Sequence, residues 1–198
     1  MTENTHSEKN GKATNSIEEM LQHLPEAKKR SKKQRTTTTK NWSKKAKLMR
    51  ERPDPAVLAS NHKARLEELV ELPKVTHRAG KPWTSAKAGL EAHGRMPIYY
   101  RLDGEVTHTG YITQIVIDPK NESDVPQVIQ EHITEDDTYS DHNKKYDVTT
   151  FLVTDGKQLN KPFPQSELEQ IEGGEFVDED FSYQPAYVRQ RDVDFPDF

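Results

Sequence analysis

The chain has 198 residues, no cysteine and a formal net charge of −4 at pH 7. The lack of cysteine excludes disulfides, cysteine-ligated zinc and cysteine nucleophiles. No apolar run approaches the ~18 residues that span a bilayer, and the N-terminal stretch has no apolar signal core. We therefore expect an intracellular, cytoplasmic protein that makes no membrane contact, nuclear if its source is eukaryotic.

Charge is divided unevenly along the chain. Residues 1–55 hold 14 Lys and Arg against 7 Asp and Glu, whereas the later residues hold 15 against 26. Such asymmetry indicates a tail that meets a polyanion or folds back on its own acidic domain. The predicted organisation is a disordered basic N-terminal arm over residues 1–53, a helical linker over 54–80 and a folded domain over 81–192.

One short amphipathic segment lies within the arm. Ser16 and Glu19 form a capping box, the apolar side chains that follow have helical spacing, and Pro25 ends the pattern. An isolated helix of this length is marginal in water. Residues 16–24 are therefore predicted to be a transient helix or a docking peptide for a protein partner.

The basic arm carries the strongest functional signal. Residues 27–52 contain twelve basic side chains and one acid, and this repulsion favours an extended chain. Lys and Arg that neutralise phosphates release counterions, and a tryptophan between two basic groups can stack on a base. The alternative is a solubilising tail. The candidate nucleic-acid-binding residues are Lys28, Lys29, Arg30, Lys32, Lys33, Arg35, Trp42, Lys44, Lys45 and Lys47.

Two helices are predicted after the arm. Asp54 can cap the first and Pro55 suits its first turn, while Pro73 stops it. The second covers Thr84–His93, and Gly94 is a natural C-terminal stop.

The pattern then changes to strands. Pro97–Leu102 and Glu105–Asp118 flank Asp103-Gly104, a strong signal for a two-residue hairpin turn. Gly110 within the second strand indicates a bulge, a bend or a close backbone approach. The later predicted elements are a strand at Val128–Ile133, a strand at Asp147–Val153 followed by a turn at Asp155-Gly156, a short helix from Ser166 that ends at Gly173-Gly174, and a closing strand at Tyr183–Arg189.

Aromatic residues around the first hairpin have two interpretations. Trp83, Tyr100 and Tyr111, with Gly110 leaving room for a flat ligand, can line a base-stacking pocket. Alternatively they form the core, because aromatic side chains dominate small cores. Neighbouring strand residues point to opposite faces, so at most one of Tyr99 and Tyr100 can line such a pocket.

Motifs for catalysis are absent from the sequence. There is no nucleophile elbow, P-loop or dinucleotide fingerprint, and none of the six histidines after position 60 has an HExxH partner. We therefore expect no metal or cofactor, and nothing in the sequence demands an enzyme.

The order of elements from Lys81 to Asp192 resembles PUA-like barrels of the EVE and ASCH type. The segments that carry the resemblance are Met96–Tyr100, Thr109–Ile117, Thr150–Val153 and Lys161–Ile171. Gly94-Arg95 stands where such domains usually have Gly-Asp. The resemblance implies a small β-barrel with flanking helices, an α+β fold, that binds RNA, or DNA with a modified base, without catalysing a reaction.

These observations lead to two functional hypotheses. The first is a non-catalytic protein that binds RNA or DNA, in which the arm contacts phosphates and a barrel pocket accepts a base. The alternative is an assembly or protein-interaction protein of a virus or mobile element that carries a basic tail.

Overall fold

In the computed structural model, which describes residues 44–133, 148–191 and 195, six strands form one sheet. The strands are β1 (Pro55–Ser60), β2 (Lys74–Ala79), β3 (Met96–Leu102), β4 (Glu105–Ile117), β5 (Thr149–Pro164) and β6 (Ala186–Arg189). Their order across the sheet is β2-β5-β4-β3-β1-β6. Strands β1 and β3 run parallel, and the other neighbours run antiparallel.

The helices complete an α+β fold. They are α1 (residues 44–51), α2 (Lys63–Glu71), α3 (Thr84–His93) and α4 (Gln127–Gln130), with 3-10 turns at Glu122–Asp124 and Gln165–Glu167. None of the helices in the described residues has the length and apolar character needed to cross a membrane. The described residues all fall within one compact unit, Trp42–Phe198.

The sheet is open, so the predicted closed barrel is wrong. Its two edge strands are covered by local chain instead of pairing with each other. The amide of Thr76 in β2 donates to the carbonyl of His132 (2.9 Å). At the other edge, the carbonyl of Tyr187 in β6 accepts from the amide of Ile171 (2.9 Å). Because these bonds occupy edge groups that closure would need, the sheet ends at both strands.

Each face of the sheet carries an apolar core. The first core lies between the sheet and helices α1, α2 and α3, and its buried members include Met49, Leu66, Trp83, Tyr100 and Phe151. The second lies on the opposite face under the C-terminal segment, and its members include Tyr99, Tyr111, Phe163, Leu168 and Phe195.

Local signals predicted several elements correctly. Helix α3 has the predicted bounds, and Gly94 ends it in the left-handed region (φ 75°). The first hairpin turns at Asp103 (φ 52°) and Gly104 (φ 85°), as an Asp-Gly turn requires. Tyr99 and Tyr100 lie in opposite cores, as strand alternation predicts.

The helix predicted from Asp54 is wrong over its first turns, and residues 54–80 are not a helical linker. Pro55–Ser60 is a strand that pairs with β3 and β6, and α2 begins only at Lys63. The segment PAVLAS is buried throughout apart from its last residue. Burial on both faces favours a strand of this composition, which local capping signals cannot reveal.

Three later predictions are also wrong. Val128–Ile133 is helix α4 and the turn after it instead of a strand, because Pro126 precedes a helical turn. The segment from Ser166 forms a 3-10 turn and bridge residues instead of a helix. Asp155-Gly156 does not end a strand: β5 continues through it, with a register shift against β4 and Asp155 in the left-handed region (φ 54°).

Part of the predicted arm is folded. Residues 44–51 are helical, and Met49 is completely buried in the first core. Burial of the Met49 side chain favours a folded helix here, although repulsion between the neighbouring cations opposes one. Residues 1–43 of the predicted arm, including the short helix at 16–24, lie outside the described residues.

Candidate nucleic-acid interface

The predicted phosphate-binding lysines that the structure describes lie on α1. Lys44 and Lys45 both approach the carboxylate of Glu172, at 3.0 and 3.8 Å, and Lys47 lies 3.8 Å from Glu51. These pairs are partly or mostly exposed, and exposed pairs contribute at most about 1 kcal/mol each. A phosphate can therefore displace these carboxylates from the lysines with only a small loss of free energy. The other seven predicted residues, 28–30, 32, 33, 35 and 42, lie outside the described residues.

Helix α1 is anchored to α3. The ring of His93 contacts the carbonyl oxygen of Met49 through Nε2 at 3.1 Å. Gly89 allows this close approach, since a Cβ there would lie 3.2 Å from the same oxygen. Only eight residues separate α1 from the cationic cluster that ends at Arg35. Along the chain, the cationic cluster therefore lies shortly before a helix that is anchored in the folded domain.

The aromatic residues predicted to form one pocket are divided between the two cores. Trp83 and Tyr100, each 1% exposed, lie in the first core, and Tyr111, 6% exposed, lies in the second. Trp83 stacks on Phe151 with ring centroids 4.6 Å apart. The three rings therefore do not surround a common space, and each of them packs as a core side chain.

Gly110 serves a close approach instead of opening a cavity. A Cβ at this position would lie 2.8 Å from Cγ1 of Val153 and 3.2 Å from the carbonyl oxygen of Thr154. The register of β4 against β5 also shifts between Thr109 and Tyr111. The sequence signal for a bulge and close approach is confirmed, but the room predicted for a ligand is filled by β5.

The first core contains buried polar atoms without partners. Nε2 of His77 and Nε1 of Trp83 have no hydrogen-bond partner among the described residues. Burial, reinforced by the positive charge of Arg65, lowers the pKa of His77 to about 3, so the ring is neutral at physiological pH. His77 is therefore a structural, uncharged histidine.

A cavity of about 340 Å³ opens at the carboxyl ends of the parallel strands β1 and β3. Ser60 ends β1, and the strand register places it beside Arg101 near the end of β3. The Asp103-Gly104 turn and the chain around Phe181 complete the walls. We call this space the Arg101 cavity.

Arg101 is 7% exposed and is held by neutral acceptors. Its Nε donates to Oγ of Ser60 (2.7 Å), and its Nη1 donates to Oε1 of Gln165 and to the carbonyl of Phe181. Gln165 is oriented by its amide, which donates to the carbonyls of Asp178 (2.8 Å) and Glu179 (2.6 Å). Burial lowers the pKa of Arg101.

The guanidinium of Arg101 has no counter-ion within residues 44–133, 148–191 and 195. No carboxylate of the described residues lies within 4.0 Å of it, although Arg65 and Arg189 each pair with at least one. Its Nη2 has no hydrogen-bond partner in this part of the chain and is not closed off from solvent. The two N–H groups of Nη2 and a full positive charge therefore remain without a partner among the described residues.

An exposed aromatic residue lies beside the cavity. Tyr183 is 71% exposed, with Nζ of Lys81 5.4 Å from its ring centroid. Its ring lies 6.1 Å from that of Phe181, which in turn lies 5.7 Å from Cζ of Arg101. We did not predict this cluster, because its members are far apart in sequence. The signals available were the arginine next to the end of the apolar strand PIYYRL and the aromatic pair in FSY.

Comparison with protein-family models, with curated protein sequences and with solved structures finds no match to this chain.

Proposed function

We propose that this protein binds nucleic acid, RNA or DNA, without catalysing a reaction, and that its basic N-terminal segment makes the phosphate contacts. The observation that carries this proposal is the density of cations before α1: six lie between Lys28 and Arg35, within eight positions. Cations at this density bind a polyanion by releasing its condensed counterions.

The charge of the folded domain supports the same division of roles. Residues after position 55 hold 15 basic and 26 acidic side chains, so a phosphate backbone laid across them is repelled. Lys44 and Lys45 already lie against Glu172, which is a weak, exchangeable partner. Nucleic acid and the acidic surface therefore compete for the basic segment, and salt modulates both.

Base contacts are assigned differently from the sequence-based hypothesis. Trp83, Tyr100 and Tyr111 are core residues, so we do not assign base recognition to them. Trp42 remains a proposed stacking residue because it lies between two groups of cations. Stacking on a single tryptophan tolerates every base, so this segment is proposed to bind with little sequence preference.

The test is binding of fluorescent single- and double-stranded DNA and RNA to the full chain across a salt series. The logarithm of affinity should fall with the logarithm of salt, by about 0.9 for each duplex phosphate contacted. A variant with six alanines should flatten that slope by as much as about 5 and weaken binding at low salt. Its substitutions are at Lys28, Lys29, Arg30, Lys32, Lys33 and Arg35.

The matched control removes the same number of positive charges from the folded domain. It should leave the salt slope almost unchanged, because those lysines are dispersed among acids. Its substitutions are at Lys63, Lys74, Lys87, Lys120, Lys157 and Lys161. If the wild-type chain retains no nucleic acid at low salt, the proposal is wrong and the assembly-protein alternative is favoured.

A further inference from the structure

The Arg101 cavity holds a charge that no carboxylate of the described residues compensates. A buried charge is normally paired, because removing an ion from water costs several kcal/mol. The acceptors of Arg101 are the hydroxyl of Ser60, the side-chain amide of Gln165 and the carbonyl of Phe181, and all of them are neutral. An oxyanion in the cavity would supply both the missing charge and an acceptor for Nη2.

A purely structural role for Arg101 leaves part of the geometry unexplained. As a clamp, the side chain would join the end of β1 to Gln165 and Phe181 with Nε and Nη1 alone. The clamp requires neither the cavity of about 340 Å³ that Arg101 lines nor an Nη2 without a partner among the described residues. Arg101 is also more than nine-tenths buried, so its charge acts in a medium of lower dielectric than water.

The carboxylates near the cavity indicate which hydrogen-bond donors the ligand has besides its oxyanion. Asp103 and Glu179 line the space but are solvent-exposed, and water screens their repulsion of an anion more than it screens the attraction of Arg101. Carboxylates accept hydrogen bonds from hydroxyl and amino groups. The suitable ligand is therefore an oxyanion joined to a group rich in hydroxyl or amino donors.

The size of the cavity and its aromatic neighbours indicate a ligand larger than phosphate that includes a planar ring. A volume of about 340 Å³ lies at the low end of small-molecule sites and exceeds the space that one phosphate fills. Phe181 lines the cavity, and the exposed ring of Tyr183 lies next to it, tilted by 57° to the Phe181 ring and beside the cation of Lys81. An exposed aromatic ring such as that of Tyr183 can bind a planar ring by stacking.

We propose that the Arg101 cavity binds a nucleoside monophosphate, with the phosphate on Arg101 and the base against Tyr183. The site belongs to the folded domain alone, so it does not rest on nucleic-acid binding by the basic segment. The ligand is either a free nucleotide or the phosphorylated end of a strand. Both offer the same terminal phosphate.

The test is calorimetric titration of the full chain with each of the common nucleoside 5′-monophosphates, with inorganic phosphate and with the unphosphorylated nucleosides. At least one monophosphate should bind saturably, with affinity at least tenfold above that of its nucleoside. A 5′-phosphorylated oligonucleotide and its unphosphorylated form then separate the two sources. Preference for the phosphorylated strand over the mononucleotide indicates a strand end, and the reverse indicates a free nucleotide.

Two variants test the assigned contacts. Tyr183→Ala should weaken nucleotide binding roughly tenfold, because stacking is lost, while inorganic phosphate binding is unchanged. Phe176→Ala is the matched control, since Phe176 is also an exposed aromatic residue (62%) but, unlike Tyr183, is not adjacent in sequence to the lining residues Phe181 and Ser182. Arg101→Lys keeps the charge and should weaken both ligands. A folded Arg101→Lys protein that binds nucleotide as the wild type does would overturn the assignment.

The same titrations in the six-alanine variant of the basic segment separate this proposal from the proposed function. Nucleotide binding should persist there. If it disappears with the basic segment, the signal came from that segment and the cavity proposal is wrong. Absence of saturable binding of every monophosphate at millimolar concentration would also overturn it, whatever the nucleic-acid assays show.

Discussion

Nδ1 of His77 lies 2.5 Å from the phenol oxygen of Tyr100, and both side chains are buried in the core between the sheet and its helices. The rings meet edge to face, with centroids 5.2 Å apart. Burial lowers the pKa of the histidine to about 3 and raises that of the tyrosine well above its usual value. The pair is therefore joined by a hydrogen bond between two neutral groups.

This pair predicts acid sensitivity. Well above pH 6.5, His77 is neutral in both the folded and the unfolded chain. Its contribution to the free energy of unfolding is therefore fully present there. As the pH falls from 6.5 towards 3, only the unfolded chain takes up this proton, so the free energy of unfolding should fall by up to about 1.4 kcal/mol per pH unit. Denaturant titrations between pH 7 and 4.5 measure this slope. His77→Gln should reduce it, whereas the exposed control His62→Gln should not.

Truncating Tyr100 distinguishes a core residue from a pocket residue. Tyr100→Ala should lower the free energy of unfolding by roughly 3–5 kcal/mol, because a buried aromatic ring is replaced by a cavity. Tyr100→Phe should cost about 1–3 kcal/mol, since His77 loses its partner. Tyr183→Ala is the exposed control and should change stability by less than about 0.5 kcal/mol. A wild-type melting curve for Tyr100→Ala would refute the core assignment.

Gly156 should be far less tolerant of substitution than Gly104. A Cβ at Gly156 would lie 2.5 Å from both Cγ and Cδ1 of Leu69 and closer still to its carbonyl oxygen, so backbone must move. Gly156→Ala should cost roughly 3 kcal/mol, at the upper end of overpacking. Gly104 has positive φ but open space around it, so Gly104→Ala should cost only about 1 kcal/mol of strain. Equal effects in thermal melts would contradict the close approach of α2 to β5.

The buried side chain of Met49 should hold α1 on the domain. Met49→Ala is expected to lower the free energy of unfolding by about 2–5 kcal/mol and to remove amide-exchange protection from residues 44–51. Lys47→Ala, on the exposed side of the same helix, should leave both nearly unchanged. Protection that survives Met49→Ala would show that α1 is held by other contacts.

Local signals were sufficient where short-range geometry decides the structure. The Asp103-Gly104 hairpin follows from the positive φ that both turn residues require, and α3 follows from helical spacing closed by Gly94. The signals failed at Pro55–Ser60, where pairing with β3 and β6 outweighs a plausible helix cap. They failed again at Asp155-Gly156, where pairing with β4 continues on both sides and β5 does not end.

The same distinction between sequence-determined and tertiary features applies to the candidate sites. The concentration of cations before α1, and the acidic excess after it, are properties of composition that the sequence determined by itself. The roles of the aromatic residues were decided only by the tertiary structure, because strand alternation and bulges send Tyr100 and Tyr111 into different cores. The Arg101 cavity likewise depends on long-range packing: it joins Ser60, Arg101 and Phe181, which meet because parallel pairing of β1 with β3 and the return of the C-terminal segment bring their backbones together.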